Sequence, residues 1–227
     1  MIRSVIPAVL LAATALVASG WSASARSQAE APAPIGLADD PGATEWPLFR
    51  GDEGLSGIAD TALPAELDLL WTYEAGGAIT SSPVIAGGLV YFGSDDQAVH
   101  CASAVTGEAV WKFETEDLVE APALVAGGTV FIGSNDTFFY ALDAKSGELK
   151  WKMPTLDKIL GGANLVEDGD TRTVIVGSYD ANLYAFDAKT GEQRWVYETD
   201  NYINGTPAIS GGRAIFGGCD AVLHVVD

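Results

Sequence analysis

The chain has 227 residues, and 31 acidic side chains against 12 lysines and arginines give it a formal net charge of −19. So negative a surface repels phosphate backbones, which excludes nucleic acid as a partner. The acidity reads instead as a device that keeps an exported β protein soluble and its strand edges apart.

Residues 1–25 predict a secretory signal: Arg3 supplies the positive region, Val5 to Ala18 the apolar one, and Ala23-Ser-Ala25 the small-residue cleavage site. The apolar run is shorter than the about 18 residues that a membrane span needs. After cleavage no integral membrane span is expected, and the protein is exported to the periplasm or beyond. Residues 26–45 are rich in Ala, Pro and Asp and read as a disordered linker.

From residue 46 onward the chain is repetitive. Trp71, Trp111, Trp151 and Trp195 stand 40, 40 and 44 residues apart. Two of them close nearly identical runs, Ala141-Leu-Asp143-Ala-Lys-Ser-Gly147-Glu-Leu-Lys-Trp151 and Ala185-Phe-Asp187-Ala-Lys-Thr-Gly191-Glu-Gln-Arg-Trp195. A degraded copy places Gly107 four residues before Trp111. A fixed period near 40 residues means repeated units that bury their apolar faces only against neighbours.

Each unit reads as four short strands. In the first period they are Ser82–Ala86, Leu89–Gly93, Val99–Ala102 and Ala109–Phe113, separated by Gly87-Gly88, by Ser94-Asp95-Asp96 and by Val105-Thr-Gly107. Turn residues at such intervals between β-branched and aromatic runs are an all-β signature. The third period carries a longer hairpin, Val166 to Thr173, which accounts for the 44-residue spacing. The predicted fold is a β-propeller of four-stranded antiparallel blades near 80–114, 120–154 and 162–198, with an incomplete one at 205–227. Leu69–Tyr73 is a tryptophan strand without three strands before it. It could close a four-blade ring by joining the last blade. The reading preferred here is an open arc of about four blades, part of a ring of seven or eight.

Within the repeat, the tryptophans are expected to fill the gaps between blades, with an acceptor for each indole N–H. Gly107, Gly147 and Gly191 are expected at positive φ, and Asp143 and Asp187 are expected to cap amides of the same turn. Asp96, Asp136, Asp180 and Asp220 recur in another turn and read as turn residues rather than a metal array. His100 and His224 stand where Tyr140 and Tyr184 stand in other copies, so they read as aromatic packing positions. Cys101 and Cys219 fall at different repeat positions, which argues against a disulfide. No Cys-x-x-Cys-His run is present, so no attached haem is indicated.

The motif Ala-x-Asp-x-x-(Ser/Thr)-Gly-x-x-x-Trp resembles the tryptophan-docking motif of pyrroloquinoline-quinone (PQQ)-type β-propeller repeats. Trp46-Pro-Leu-Phe-Arg-Gly51 resembles the entry segment of secreted bacterial members. The resemblance covers residues 46–227. It implies one of two functions: a non-catalytic binding or assembly scaffold of the BamB type, or part of a PQQ-dependent dehydrogenase. Under the first, no cofactor is expected, and a protein partner or small ligand binds at the channel. Under the second, channel Glu, Asn and Asp residues hold PQQ with Ca²⁺. The first strands of propeller blades line the channel, and polar residues near them are Ser81, Ser82, Glu120, Asn164, Asn204 and Thr206. Glu120, Asn164 and Asn204 are the candidates for a channel ligand, Glu120 and Asn164 having the type suited to oxygen ligation. No catalytic base or metal cluster is assigned.

Overall fold

The computed structural model describes residues 45–59, 61 and 65–227. The predicted signal and nearly all of the predicted linker lie outside these residues. Among the described residues there are fifteen strands and no helix, and none is long and apolar enough to cross a membrane as a helix.

The strands form four antiparallel meanders. The first contains β1 (Val84–Ala86), β2 (Leu89–Ser94), β3 (Ala98–Ser103) and β4 (Ala109–Glu114). The second contains β5 (Leu124–Ala126), β6 (Thr129–Gly133), β7 (Phe138–Asp143) and β8 (Leu149–Pro154). The third contains β9 (Asn164–Asp168), β10 (Thr171–Gly177), β11 (Asn182–Asp187) and β12 (Gln193–Glu198). The fourth contains β13 (Ala208–Ser210), β14 (Arg213–Gly217) and β15 (Leu223–Val226). The Gly-Gly pairs make the tight hairpins between the first and second strands. Gly87 and Gly88 have φ of 59° and 75°, the double positive φ that a twisted two-residue turn requires.

In the first two sheets the middle strands are buried on both faces and the last ones are not, so β6 is buried throughout whereas β8 alternates between half-buried and exposed residues from Lys150 to Pro154. No sheet makes a core by itself. One apolar cluster joins Val84, Tyr91 and Val99 to Ala123, Val130 and Leu142 across the first and second sheets. The next joins Phe131 and Phe139 to Leu165, Val174 and Phe186 across the second and third. The last joins Ile175 and Leu183 to Ile209 and Phe216 across the third and fourth. This is nearest-neighbour stabilisation of the kind a repeat protein requires. The architecture is a partial β-propeller.

Leu69–Tyr73 does not complete the fourth sheet. β15 pairs with β14 alone, while Trp71 lies against the first sheet with its Nε1 donating to the Ala104 carbonyl at 3.0 Å. It occupies, toward the first sheet, the place that Trp111 occupies toward the second.

The segment before it has a separate role. Trp46 and Ile85 exchange backbone hydrogen bonds of 2.8 and 2.9 Å, Val125 N–H donates to the Pro47 carbonyl at 2.7 Å, and Ile209 N–H donates to the Glu53 carbonyl at 2.8 Å. Ile85, Val125 and Ile209 belong to the first strands of the first, second and fourth sheets. The segment therefore crosses the open edges of these strands and satisfies amides that would otherwise lack a strand partner. Leu48, only 5% exposed, anchors it in the second cluster.

Candidate functional site

Three sets of polar residues recur around the sheets, and each has its own local cause.

The first set is the turn between second and third strands. Asp136 accepts the Phe138 N–H at 3.0 Å through one carboxylate oxygen. Through the other it accepts the Tyr140 hydroxyl at 2.6 Å and the Glu116 N–H at 3.0 Å. Asp180 repeats this with Asn182, Tyr184 and Leu156. The turn places non-glycine residues at positive φ, Gln97, Thr137, Ala181 and Ala221. In three of them the carbonyl is held by a threonine: Thr115, Thr155 and Thr199 each donate both N–H and hydroxyl. Each aspartate therefore ties its own hairpin to the loop that enters its blade. Burial and the bond to Asp136 push the Tyr140 hydroxyl far above its ordinary value, and Tyr184 behaves alike with Asp180. These phenols stay protonated donors.

In the first and fourth sheets histidine replaces tyrosine, and the network extends by one member. His100 Nε2 lies 3.0 Å from Asp96 Oδ1, and its Nδ1 lies 2.9 Å from the Tyr73 hydroxyl. His224 repeats the arrangement with Asp220 at 2.7 Å and Tyr197 at 3.2 Å. A carboxylate only accepts, so Nε2 carries a proton; in the neutral ring Nδ1 then accepts from the phenol. Where the third-strand residue is Tyr140 the partner across the gap is Phe113, ring centroids 5.5 Å apart, with nothing to donate. The histidines are thus aromatic packing residues that also bridge a turn aspartate to a tyrosine. Burial opposes ionisation of Asp96, yet bonds from His100 and Lys112 outweigh it and hold its carboxyl below the ordinary range.

The second set joins neighbouring sheets. Gly107, Gly147 and Gly191 have φ of 71°, 73° and 76°. Each faces the tryptophan of the preceding unit: a Cβ on Gly147 would lie 2.7 Å from the Trp111 ring, and one on Gly191 equally close to Trp151. Glycine is needed twice over, for the backbone conformation and for the indole. The indole N–H groups of Trp111 and Trp151 donate to the carbonyls of Ala144 at 3.0 Å and Ala188 at 3.3 Å. The rings are half-buried rather than enclosed, because their outer edges border solvent. Asp143 accepts the Lys145 and Ser146 amides, and Asp187 those of Lys189 and Thr190.

A second junction was not singled out by the sequence. Val119, Ile159 and Ile203, each fully buried, pack on Gly93, Gly133 and Gly177, where a Cβ would approach to 2.2 Å of the entering loop. The signal was present, since an apolar residue stands 26 residues after each of these glycines.

The third set is the channel candidates. Asn164, fully buried at the start of β9, donates through Nδ2 to the carbonyls of Glu53 at 2.8 Å and Pro207 at 2.9 Å, and its Oδ1 accepts the Leu165 N–H. All its bonding groups are engaged in holding the amino-terminal segment and the fourth blade. Glu120 accepts from Asn135 Nδ2 at 2.6 Å. Asn204 is exposed in the loop before β13. Among the described residues no hydrogen bond joins any two of these three. Ser81 donates to the Ala121 carbonyl and Thr206 accepts the Gly162 N–H, each tying one blade to the next. Cys101 is buried and Cys219 exposed, and both are free thiols. Burial pushes the Cys101 thiol up to about 12, so it is inert.

Residues 62–168 and 157–227 match the family model described as outer membrane protein assembly factor BamB. Among solved structures, BamB from Moraxella catarrhalis is 26% identical with a TM-score of 0.60, the match covering 68% of this chain and 48% of that one. The quinohemoprotein alcohol dehydrogenase of Comamonas testosteroni is 23% identical with a TM-score of 0.59, over 69% of this chain and 27% of that one. A europium-containing methanol dehydrogenase is 20% identical with a TM-score of 0.60, over 69% and 32%. At such identities the two dehydrogenases attest the fold alone. The chain thus spans about half the length of the BamB it matches. No curated protein matches the sequence.

Proposed function

Because the chain belongs to the family of the outer membrane protein assembly factor BamB, we propose that it is an exported, non-catalytic propeller that acts as a binding or assembly scaffold for a protein partner. The observation that carries this reading is the engagement of the channel-side groups. Both donors of Asn164 go to backbone carbonyls and its oxygen accepts an amide, and Glu120 is bonded to Asn135. A quinone and Ca²⁺ need several convergent oxygens with free lone pairs, and these side chains direct their bonds to separate partners. That pattern supports a chain that binds no PQQ by itself. A repeat rim held rigid by internal bonds suits the presentation of loops to another protein.

Equilibrium dialysis of the chain against PQQ with Ca²⁺ tests the reading. No stoichiometric binding is expected, whereas binding in the micromolar range overturns the non-catalytic class. Export is tested separately by sequencing the mature amino terminus, expected at Arg26. An uncleaved chain in the cytoplasm would remove the periplasmic setting that such a scaffold needs.

A further inference from the structure

The third blade carries an element that the repeat does not call for. β9 and β10 have five and seven residues, against three and five for β5 and β6. Their pairing continues to Thr171 opposite Asp168, with Gly169 at φ 58° in the tip. The extension carries Arg172 over the second blade, where its guanidinium nitrogen would lie 2.5 Å from a Cβ on Gly127. Between this hairpin and the second sheet lies a cleft of about 680 Å³.

The cleft carries more positive than negative side chains on an otherwise acidic chain. Lys150, Arg172, Lys189 and Arg194 line it against Asp170 and Asp187, with the hydroxyls of Thr129 and Thr190 beside them. The junction between the first and second sheets is built differently. Val110 stands there in the place of Lys150, and Leu89 in that of Thr129. Tyr91, in the place of Phe131, sends its hydroxyl to the Ala144 carbonyl at 3.1 Å and fills the gap. Phe131 has no hydroxyl to reach across, so the second junction stays open.

Three of the cations have carboxylate neighbours: Lys150 with Asp143 at 3.2 Å, Arg172 with Glu167 at 2.7 Å and Arg194 with Asp187 at 2.5 Å. Such partly exposed pairs contribute little, and each guanidinium keeps further N–H donors. Lys189, exposed at the turn, has no carboxylate within ion-pair distance among the described residues. The size falls in the roughly 300–1,000 Å³ range of small-molecule sites.

Lys150 directs its three donors to Asp143, the Gly128 carbonyl at 2.8 Å and the Thr129 hydroxyl at 2.9 Å, so it adds charge but no free donor. We propose that this inter-blade cleft is a binding site for a small ligand bearing an oxyanion, a phosphate or a carboxylate, held by Arg172 and Lys189 with Arg194 behind them. The site stands apart from the channel and from the scaffold reading above.

The test is an NMR titration of the full chain at low salt, with inorganic phosphate in one series and citrate in another. Saturable amide shifts are expected at Gly127, Gly169, Lys189 and Thr190, and the probe that binds more tightly assigns the oxyanion. Losing charge-assisted donors should weaken that affinity about tenfold in the double variant Arg172→Ala/Lys189→Ala. Should the double variant misfold, Lys189→Ala alone decides, because its side chain takes no part in the packing; it should still weaken binding severalfold. Failure of both probes to saturate, shifts centred elsewhere, or unaltered affinity in the folded variant overturns the proposal.

Discussion

Trp151 and Trp195 occupy the same position in consecutive units, yet their surroundings differ. Trp151 sits within 5.7 to 6.3 Å of the Phe131, Phe139 and Phe186 rings, lies on Gly191 and donates to Ala188. Trp195 packs at the edge of the last cluster, and among the described residues no glycine turn faces it. The neighbouring β15 leaves Leu223 at 72% and Val225 at 57% exposed. An identical residue in the equivalent strand therefore contributes according to its neighbour, which is how nearest-neighbour coupling in a repeat array operates.

The sharpest way to break this contrast is truncation. Trp151→Ala removes a half-buried ring from a three-phenylalanine nest and should cost about 2–4 kcal/mol, toward the low end of aromatic truncations because the ring is not fully enclosed. Trp195→Ala should cost about 1–2 kcal/mol, since its ring is also half-buried but has no aromatic nest and no facing glycine turn among the described residues. Urea midpoints measure both, and equal losses would remove the distinction between the two junctions.

Glycine substitutions separate conformation from contact. Gly128 and Gly147 have φ of 72° and 73°, but a Cβ on Gly128 meets nothing within 4 Å whereas one on Gly147 meets the Trp111 ring. Gly128→Ala should cost about 1 kcal/mol for the left-handed backbone alone. Gly147→Ala should add about 1–3 kcal/mol of overpacking. Thermal denaturation of the two variants gives the difference directly, and a null difference would show that the indole moves aside freely.

Acid sharpens the comparison between blades with the smallest effect. The Ser146 amide and Lys150 hold Asp143 down to about 2, and Arg194 and the Thr190 amide do the same for Asp187. Both lie below the ordinary 3.8, so their turn bonds are intact above about pH 4 and are lost as pH falls through about 2. The first sheet has Ser103 in this place, accepting the Val105 and Thr106 amides without titrating. Amide chemical shifts of Ser146 and Thr190 should therefore move between pH 4 and 1.5 while that of Thr106 stays put.

The sequence by itself determined the period, the strands and the turns. The predicted runs at 82–86, 89–93, 99–102 and 109–113 overlap β1 to β4, because alternating apolar residues and Gly-Gly or Asp turns act over a few residues. It also marked the glycine and aspartate of the tryptophan turn, whose backbone demands are local. What surrounds each repeated residue was decided by tertiary structure. Asn164 has the composition of a ligand, but it is engaged by a carbonyl 111 residues away in the chain. Nothing in Trp46-Pro-Leu-Phe-Arg-Gly51 announces that this segment crosses the edges of other blades' first strands, since such bonds use backbone groups that every sequence carries. The second glycine in the junction, facing Val119, Ile159 or Ile203, was hidden for the same reason: glycine is read locally as a turn, and only the approach of another chain segment shows that the missing Cβ is the point.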